Sequence, residues 1–420
     1  MYQNVRFNNG LRLITSNMPH TRSASIVFYV GSGARYENDS EAGISHFIEH
    51  ICFKGTEKRQ TSKEISEAIE CIGGIINGGT DKEITTYWCR VANQHFALAL
   101  DVLVDLLRNA RFDADDIDHE RQVLIEEINM SFDSPRQRVG MLIDELLWTG
   151  HPLGRDVAGT RETVSDISRL QILNFFLSRY TPNNTVVSIA GQINEKEVSD
   201  AIAESLGDWQ QREVSTGFPS NNDQKEPKLI VEYRETEQVH LCLAFPGLSL
   251  FHPDRFALDL LNIVLGEGMS SRLFIEIREK QGLAYDIHSY TDHLTDTGAL
   301  TIHAGVDPQR LEDLINAVLG QLAELRKGVF ENELNKAKEM VKGRLLIGLE
   351  NSRNVAAWLG AQAILTNQIL TTDDVISIVE GITIEDLKRI AEQLIREEKI
   401  NLAIVGPIRK EGKIDTLLKM

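Results

Sequence analysis

The sequence predicts an α+β protein built from two similar domains, and three observations carry that prediction. Strand-like and helix-like patterns alternate in blocks along the 420 residues. A polar stretch at 209–227, containing a glycine and two prolines, cuts the chain nearly in half. The second half then repeats the first at a fixed offset: Val91 and Val306 each end a strand that runs into a helix, and Gly191 and Gly406 each close a strand, both pairs 215 residues apart. Two anchors at one offset point to a duplicated unit rather than two similar junctions. At about 100–200 residues per domain, the length suits two or three domains, each with its own core.

Taken in order, Val5-Arg-Phe-Asn-Asn-Gly-Leu-Arg-Leu-Ile14 alternates around an Asn-Gly turn and predicts an opening β-hairpin. Residues 25–30 read as a strand, 41–53 and 62–71 as helices, and 75–79 and 83–91 as strands. Helical patterns follow at 93–109, 114–131, 135–147 and 164–178, then a β-rich apolar run at 185–190 and a helix at 195–204. In the second half, 302–306 reads as a strand leading into a helix at 309–325.

Composition excludes several functions. No apolar run reaches the roughly 20 residues of a membrane-spanning helix. Asp and Glu outnumber Lys and Arg by 62 to 44, for a formal charge of −18, which argues against nucleic acid or an anionic membrane surface as partner. Cys52, Cys71, Cys89 and Cys242 are scattered without a CxxC pair and predict reduced, mostly buried thiols. Arg6, Arg12 and Arg22 precede the first acid, as in a transit peptide, but the hairpin marks the segment as mature structure; there is no apolar signal-peptide core, and a cytoplasmic protein is expected.

The chemistry concentrates in Gly43-Ile-Ser-His46-Phe-Ile-Glu49-His50. His46 and His50, at i and i+4, project from one face of a helix and can share one zinc ion, while Glu49 sits beside them as a base for water. A catalytic zinc needs a third protein ligand. On the 114–131 helix, Glu120 and Glu127 fall on the stripe of Ile117, Leu124 and Ile128, whereas Glu126 is rotated about 100° away. We therefore expect Glu127 as ligand and Glu120 as its support beyond the ligand shell; the alternative is that both acids pair with Arg or Lys. The repeat sets Leu261, Val264 and Leu265 opposite His46, Glu49 and His50, and Lys342 opposite Glu127. The second half thus lacks every proposed zinc-site residue. Gly266-Glu-Gly268 lacks the Lys-Ser/Thr of a phosphate loop, and His288, His293 and His303 read as surface or cavity-lining histidines rather than a second metal site.

HxxEH followed by Glu127, 77 residues after His50, resembles the insulinase/pitrilysin family of inverted-motif zinc metallopeptidases. The resemblance continues through Phe53-Lys-Gly-Thr56, as in the branch of the mitochondrial processing peptidase, through Glu120-Arg121, Glu126-Glu127-Ile128 and Tyr180-Thr-Pro-Asn-Asn184, and on to Gly268-Met-Ser-Ser-Arg-Leu-Phe274, Arg278-Glu279 and Gly282-Leu-Ala-Tyr285. It implies that His46, His50 and Glu127 bind one zinc per subunit, that Glu49 activates water, and that Arg278 and Tyr285 contact substrate carbonyls and hold the tetrahedral intermediate. It also implies mostly antiparallel sheets packed with helices. The segment Asn77-Gly78-Gly79-Thr80 matches an edge strand that pairs with substrate, but the family usually has Asn-Ala, a large residue and Thr there. Two glycines should make that strand more flexible.

The expected organisation is a zinc-binding domain at 1–208, a linker at 209–227, and a pseudo-repeat at 228–420 that carries Arg278 and Tyr285. The family's long members carry four such domains in a clamshell, so this chain is expected to form a homodimer with Arg278 and Tyr285 acting in trans on the partner's zinc site. The expected function is a zinc endopeptidase that cleaves peptides or unfolded segments within that chamber; acids lining it would favour basic peptides. The alternatives are a metal-free structural or peptide-holding subunit, or a heterodimer with a catalytically dead homologue.

Overall fold

The computed structural model describes residues 2–221 and 223–409. The chain forms two compact units, one of residues 1–128, 155–218 and 346–369, the other of 129–154, 219–345 and 370–420.

In the first unit, β1 (Gln3–Arg6) and β2 (Arg12–Asn17) form the opening hairpin, with Arg6 opposite Arg12. They join β3 (Ser23–Val30), β4 (Ile75–Thr80), β5 (Thr85–Ala92) and β6 (Thr185–Gly191) in a sheet of order β1-β2-β6-β3-β5-β4. Only the β2–β6 pair is parallel. One face packs under helices Ile44–Cys52, Phe96–Arg108 and Ala114–Asp133, with Phe28, Tyr87, Phe47 and Leu103 in the core. The other face is covered by helix Ser352–Thr366, whose Val355, Ala356, Leu359 and Ala363 meet Ile14, Val27, Tyr29 and Val186. This helix lies close enough that a β-carbon on Gly360 would stand 2.4 Å from the Tyr29 ring.

The second unit contains β7 (Lys228–Tyr233), β8 (Val239–Pro246), β9 (Ala284–His293), β10 (Gly298–Val306) and β11 (Asn401–Gly406), in the order β7-β11-β8-β10-β9. Again one pair, β7–β11, is parallel. Without the extra hairpin strand β1, the first sheet has the same order and the same single parallel pair, so the 215-residue repeat is a repeat of topology. One face carries helix Pro135–Leu147, where Val139, Leu142 and Ile143 pack on Cys242, Ala244, Ala403 and Val405.

Three features depart from the sequence-based expectations. The helical pattern at 164–178 is two helices, Arg161–Asp166 and Arg169–Arg179, because Ser168 caps the second in a reciprocal box with Gln171. The first site helix begins at Ile44 rather than 41, after Gly43 turns the chain at φ +93°. The units also do not follow a single cut at 209–227: each half of the chain supplies one helix, Pro135–Leu147 or Ser352–Thr366, to the unit built mainly from the other half. Of the cysteines, Cys52, Cys89 and Cys242 are buried free thiols and Cys71 is exposed.

Candidate metal centre

Helix Ile44–Cys52 is amphipathic: Ile44, Phe47, Ile48 and Ile51 enter the core, leaving His46, Glu49 and His50 on the opposite side. Its N-terminus is fixed by Glu37, a fully buried carboxylate that accepts hydrogen bonds from the Gly43 N–H (2.8 Å) and the Ser45 N–H (2.9 Å). Burial pushes the Glu37 carboxyl up, and these two backbone bonds pull against that. Nothing in the spacing of Glu37 points to this cap, and sequence reasoning missed it.

The two imidazoles meet with Nε2 atoms 3.1 Å apart and rings edge to face. From helix Ala114–Asp133, Glu127 brings Oε1 to 4.0 Å from His46 Nε2 and Oε2 to 3.7 Å from His50 Nε2. Glu120, two helical turns earlier and buried, accepts from His50 Nδ1 at 2.8 Å. It also pairs with Lys54, so the alternative of pairing with a basic residue holds for Glu120 in addition to its contact with His50. Glu126 is exposed.

This donor set fits zinc. Four ligands at about 2.0–2.1 Å around a tetrahedral ion lie about 3.4 Å from one another, close to the spacing of these nitrogens and oxygens. The Nδ1–H bond to Glu120 leaves the lone pair of His50 on Nε2, pointing at the other Nε2. His46 Nδ1 is buried without a hydrogen-bond partner, so nothing in the protein fixes the proton of that ring.

Burial, and then the neighbouring His50, push His46 down to about 4, which keeps it neutral and able to donate a lone pair. Burial also disfavours charge on His50, but the bond to Glu120 and the carboxylates of Glu49, Glu120 and Glu127 outweigh it and raise its pKa. For Glu120 the balance reverses: burial raises it, and His50 and Lys54 together bring it below the ordinary carboxylate range. Glu49 is raised, mainly by burial, against the opposing pull of His50 and a hydrogen bond from Thr80. A carboxylate raised in this way is a better proton acceptor than an exposed one.

The edge strand β4 lies beside the site helix. Thr80 Oγ1 donates to Glu49 Oε2 at 3.4 Å, and Asn77, on the exposed side, accepts from the Gly78 N–H at 2.8 Å. Gly78 is the closest approach: a β-carbon there would lie 2.6 Å from Glu49 Oε1, whereas one on Gly79 would meet only Thr86, at 3.7 Å. The expected flexibility of the two glycines missed this steric role of Gly78. Lys54 and Gly78 thus join the site as neighbours that the motif alone did not mark.

Arg278 and Tyr285 belong to the other unit. They form a pair of their own, with the Arg278 guanidinium 4.6 Å from the centre of the Tyr285 ring and 4.7 Å from that of Phe274. Tyr285 is 78% exposed.

Residues 12–161 match the insulinase family (peptidase family M16), and residues 166–341 match the peptidase M16 inactive domain. An uncharacterized zinc protease of Bacillus subtilis is 35% identical over 97% of this chain and 98% of its own length. The chain belongs to the insulinase family, peptidase family M16. A second M16 relative, an uncharacterized zinc protease of Mycobacterium leprae, is 35% identical over 98% of this chain and 93% of its own. The M16 fold is shared with a protease from Helicobacter pylori, at TM-score 0.93 and 22% identity over 97% of this chain and 99% of that one. A chain of Complex III2 from Candida albicans has the same fold, at TM-score 0.85 and 17% identity over the full length of both. Within the M16 inactive-domain match, Leu261, Val264 and Leu265 are buried apolar side chains of helix Arg255–Leu265 and offer no ligand. Among the described residues, no helix is long and apolar enough to cross a membrane.

Proposed function

We propose that the chain is a zinc-dependent endopeptidase, and the observation that carries this is the convergence of His46, His50 and Glu127 beside the raised carboxylate of Glu49. His46 Nε2, His50 Nε2 and the Glu127 carboxylate would hold the ion. Bound there, zinc supplies Lewis acidity, polarising a carbonyl and making water a stronger acid. Glu49 takes the proton of the attacking water on its carboxylate and returns it to the departing amine. Glu120 keeps the His50 ring in the tautomer that presents Nε2. Strand β4, at the sheet edge, has one side without a neighbouring strand, along which an extended peptide would align through Asn77, Gly78, Gly79 and Thr80.

The proposed active form is a homodimer in which Arg278 and Tyr285 of one subunit donate hydrogen bonds to the oxyanion at the zinc site of the other. The solvent exposure of Tyr285 and the stacked guanidinium support this pairing with a substrate. Substrates would be peptides and unfolded segments, with basic ones favoured by the −18 charge. A bacterial cytoplasmic setting is supported by the bacterial relatives and by four free thiols. A metal-free structural subunit is the second reading, favoured by the inactive-domain match and by the fold's presence in Complex III2.

The test is digestion of an unbiased peptide library by the purified protein, read by mass spectrometry with and without a zinc chelator, together with metal analysis. Chelator-sensitive cleavage with zinc bound is the expected result. Absence of both zinc and cleavage would favour the structural subunit.

A further inference from the structure

Apart from the HxxEH helix, one other group among the described residues gathers metal-ligating side chains, and it lies wholly within the second unit. In the sheet, His303 on β10 pairs with Cys242 on β8 and with His288 on β9, so the three side chains share one face. Two residues along, Gly305 pairs with His240 and Asp286, which fall on that same face. Donor atoms of Asp286, His288 and His303 lie within 4.8 Å of one another. His288 Nδ1 is 3.3 Å from Asp286 Oδ1, and His303 Nδ1 is 3.8 Å from Asp286 Oδ2.

Two further facts separate this cluster from ordinary surface histidines. His303 is 4% exposed, yet neither of its ring nitrogens has a hydrogen-bond partner. His288 and His303 also line a cavity of about 470 Å³, together with Ser134, Arg136 and Tyr290. His293 differs: it bonds to the Leu248 carbonyl and to Asp259, and it has no orphan nitrogen.

We propose that Asp286, His288 and His303 form a second metal site, for a divalent transition ion of the zinc and cobalt class, with Arg136 as a built-in competitor. Two imidazoles and one carboxylate suit such ions rather than calcium or magnesium, which take all-oxygen sets. Three protein ligands and an adjoining cavity leave room for water as the fourth. Arg136 holds Asp286 Oδ2 at 2.9 Å, but its side chain is more than half exposed and can swing into solvent at little cost. The single carboxylate therefore serves either the guanidinium or the ion. This revises the reading of His288 and His303 as mere lining, and His293 takes no part in the site.

The experiment measures metal on the full-length protein. After equilibration with zinc and desalting, the wild type should carry two ions per chain. Cobalt titration of the His46→Ala/His50→Ala chain then isolates the second site by its visible absorption. There, His288→Ala should weaken cobalt binding at least about tenfold, and Arg136→Gln should tighten it. His288 is chosen because it is half-exposed, whereas a buried His303 variant could unfold. One zinc per wild-type chain, lost on His50→Ala, would overturn the proposal. So would cobalt binding indifferent to both His288→Ala and Arg136→Gln.

Discussion

Gly78 lies against the catalytic candidate Glu49: a β-carbon at position 78 would stand 2.6 Å from Glu49 Oε1 and 2.9 Å from the Phe53 ring. Both obstacles are the far ends of side chains, so a single methyl can be met by a small rotation of the carboxylate together with a slight shift of the Phe53 ring. A branched side chain cannot. Gly78→Ala should therefore lower kcat less than about tenfold, and Gly78→Val by more than about a hundredfold, the scale of losing a positioned base. Zinc content should stay unchanged in both, as measured by metal analysis beside peptide turnover. Equal activity of the two variants would remove the steric link.

Glu49→Gln keeps the shape and the hydrogen bond from Thr80 but cannot accept the proton. It should retain zinc and lose at least about a hundredfold in kcat. Full turnover of the variant would dismiss Glu49 as base.

Mixing two inactive proteins, His50→Ala and Arg278→Ala, under exchange conditions tests action in trans. Each mixed dimer then has one complete site, and partial recovery of activity is expected. A dead mixture with heterodimers demonstrated by mass spectrometry rules the model out.

Glu37→Ala strips two N–H groups at the start of the site helix of their buried acceptor. The expected loss is about 1–3 kcal/mol of stability, seen as a lower urea midpoint, with weaker zinc retention because the helix carrying both histidines is no longer anchored. An unchanged midpoint would mean that water or a neighbour replaces the carboxylate.

His293, a ligand in neither proposed metal site, gives a pH dependence of its own. Burial would lower its pKa, but Asp259, at 3.0 Å, and the Leu248 carbonyl outweigh that and Arg255, so its folded pKa lies above the unfolded value. A group raised on folding stabilises fully below its ordinary value of about 6.5 and loses that contribution as pH rises through the folded pKa. The Tm advantage of wild type over Asp259→Asn should therefore be larger at pH 5.5 than at pH 8. An advantage independent of pH would show that the imidazolium is not the stabilised form.

Much of this architecture was legible because its signals are periodic. His46, Glu49 and His50 announce themselves by spacing on one helix, and Glu120 and Glu127 by falling on an apolar stripe where acids are costly. The 215-residue anchors revealed the duplication because strand ends carry small residues at fixed places. What remained hidden depends on contacts between segments far apart in sequence. Glu37 caps a helix it does not adjoin in any capping-box spacing, and Gly78 matters only through what stands opposite it. Helix Pro135–Leu147 has an ordinary amphipathic pattern and Ser352–Thr366 is apolar with little sidedness, and no local signal says which sheet each one covers.

That crossing of helices bears on how the chain can be divided. A fragment ending in the 209–221 stretch would contain β1 to β6 but not Ser352–Thr366, leaving Ile14, Val27, Tyr29 and Val186 bare on one side of their sheet. The complementary fragment would lack Pro135–Leu147 and expose Ala244, Ala403 and Val405. Neither half covers both faces of its own sheet, although the topology repeats. Each sheet is thus completed by a helix from the opposite half of the chain, a non-local pairing of the kind that slows folding.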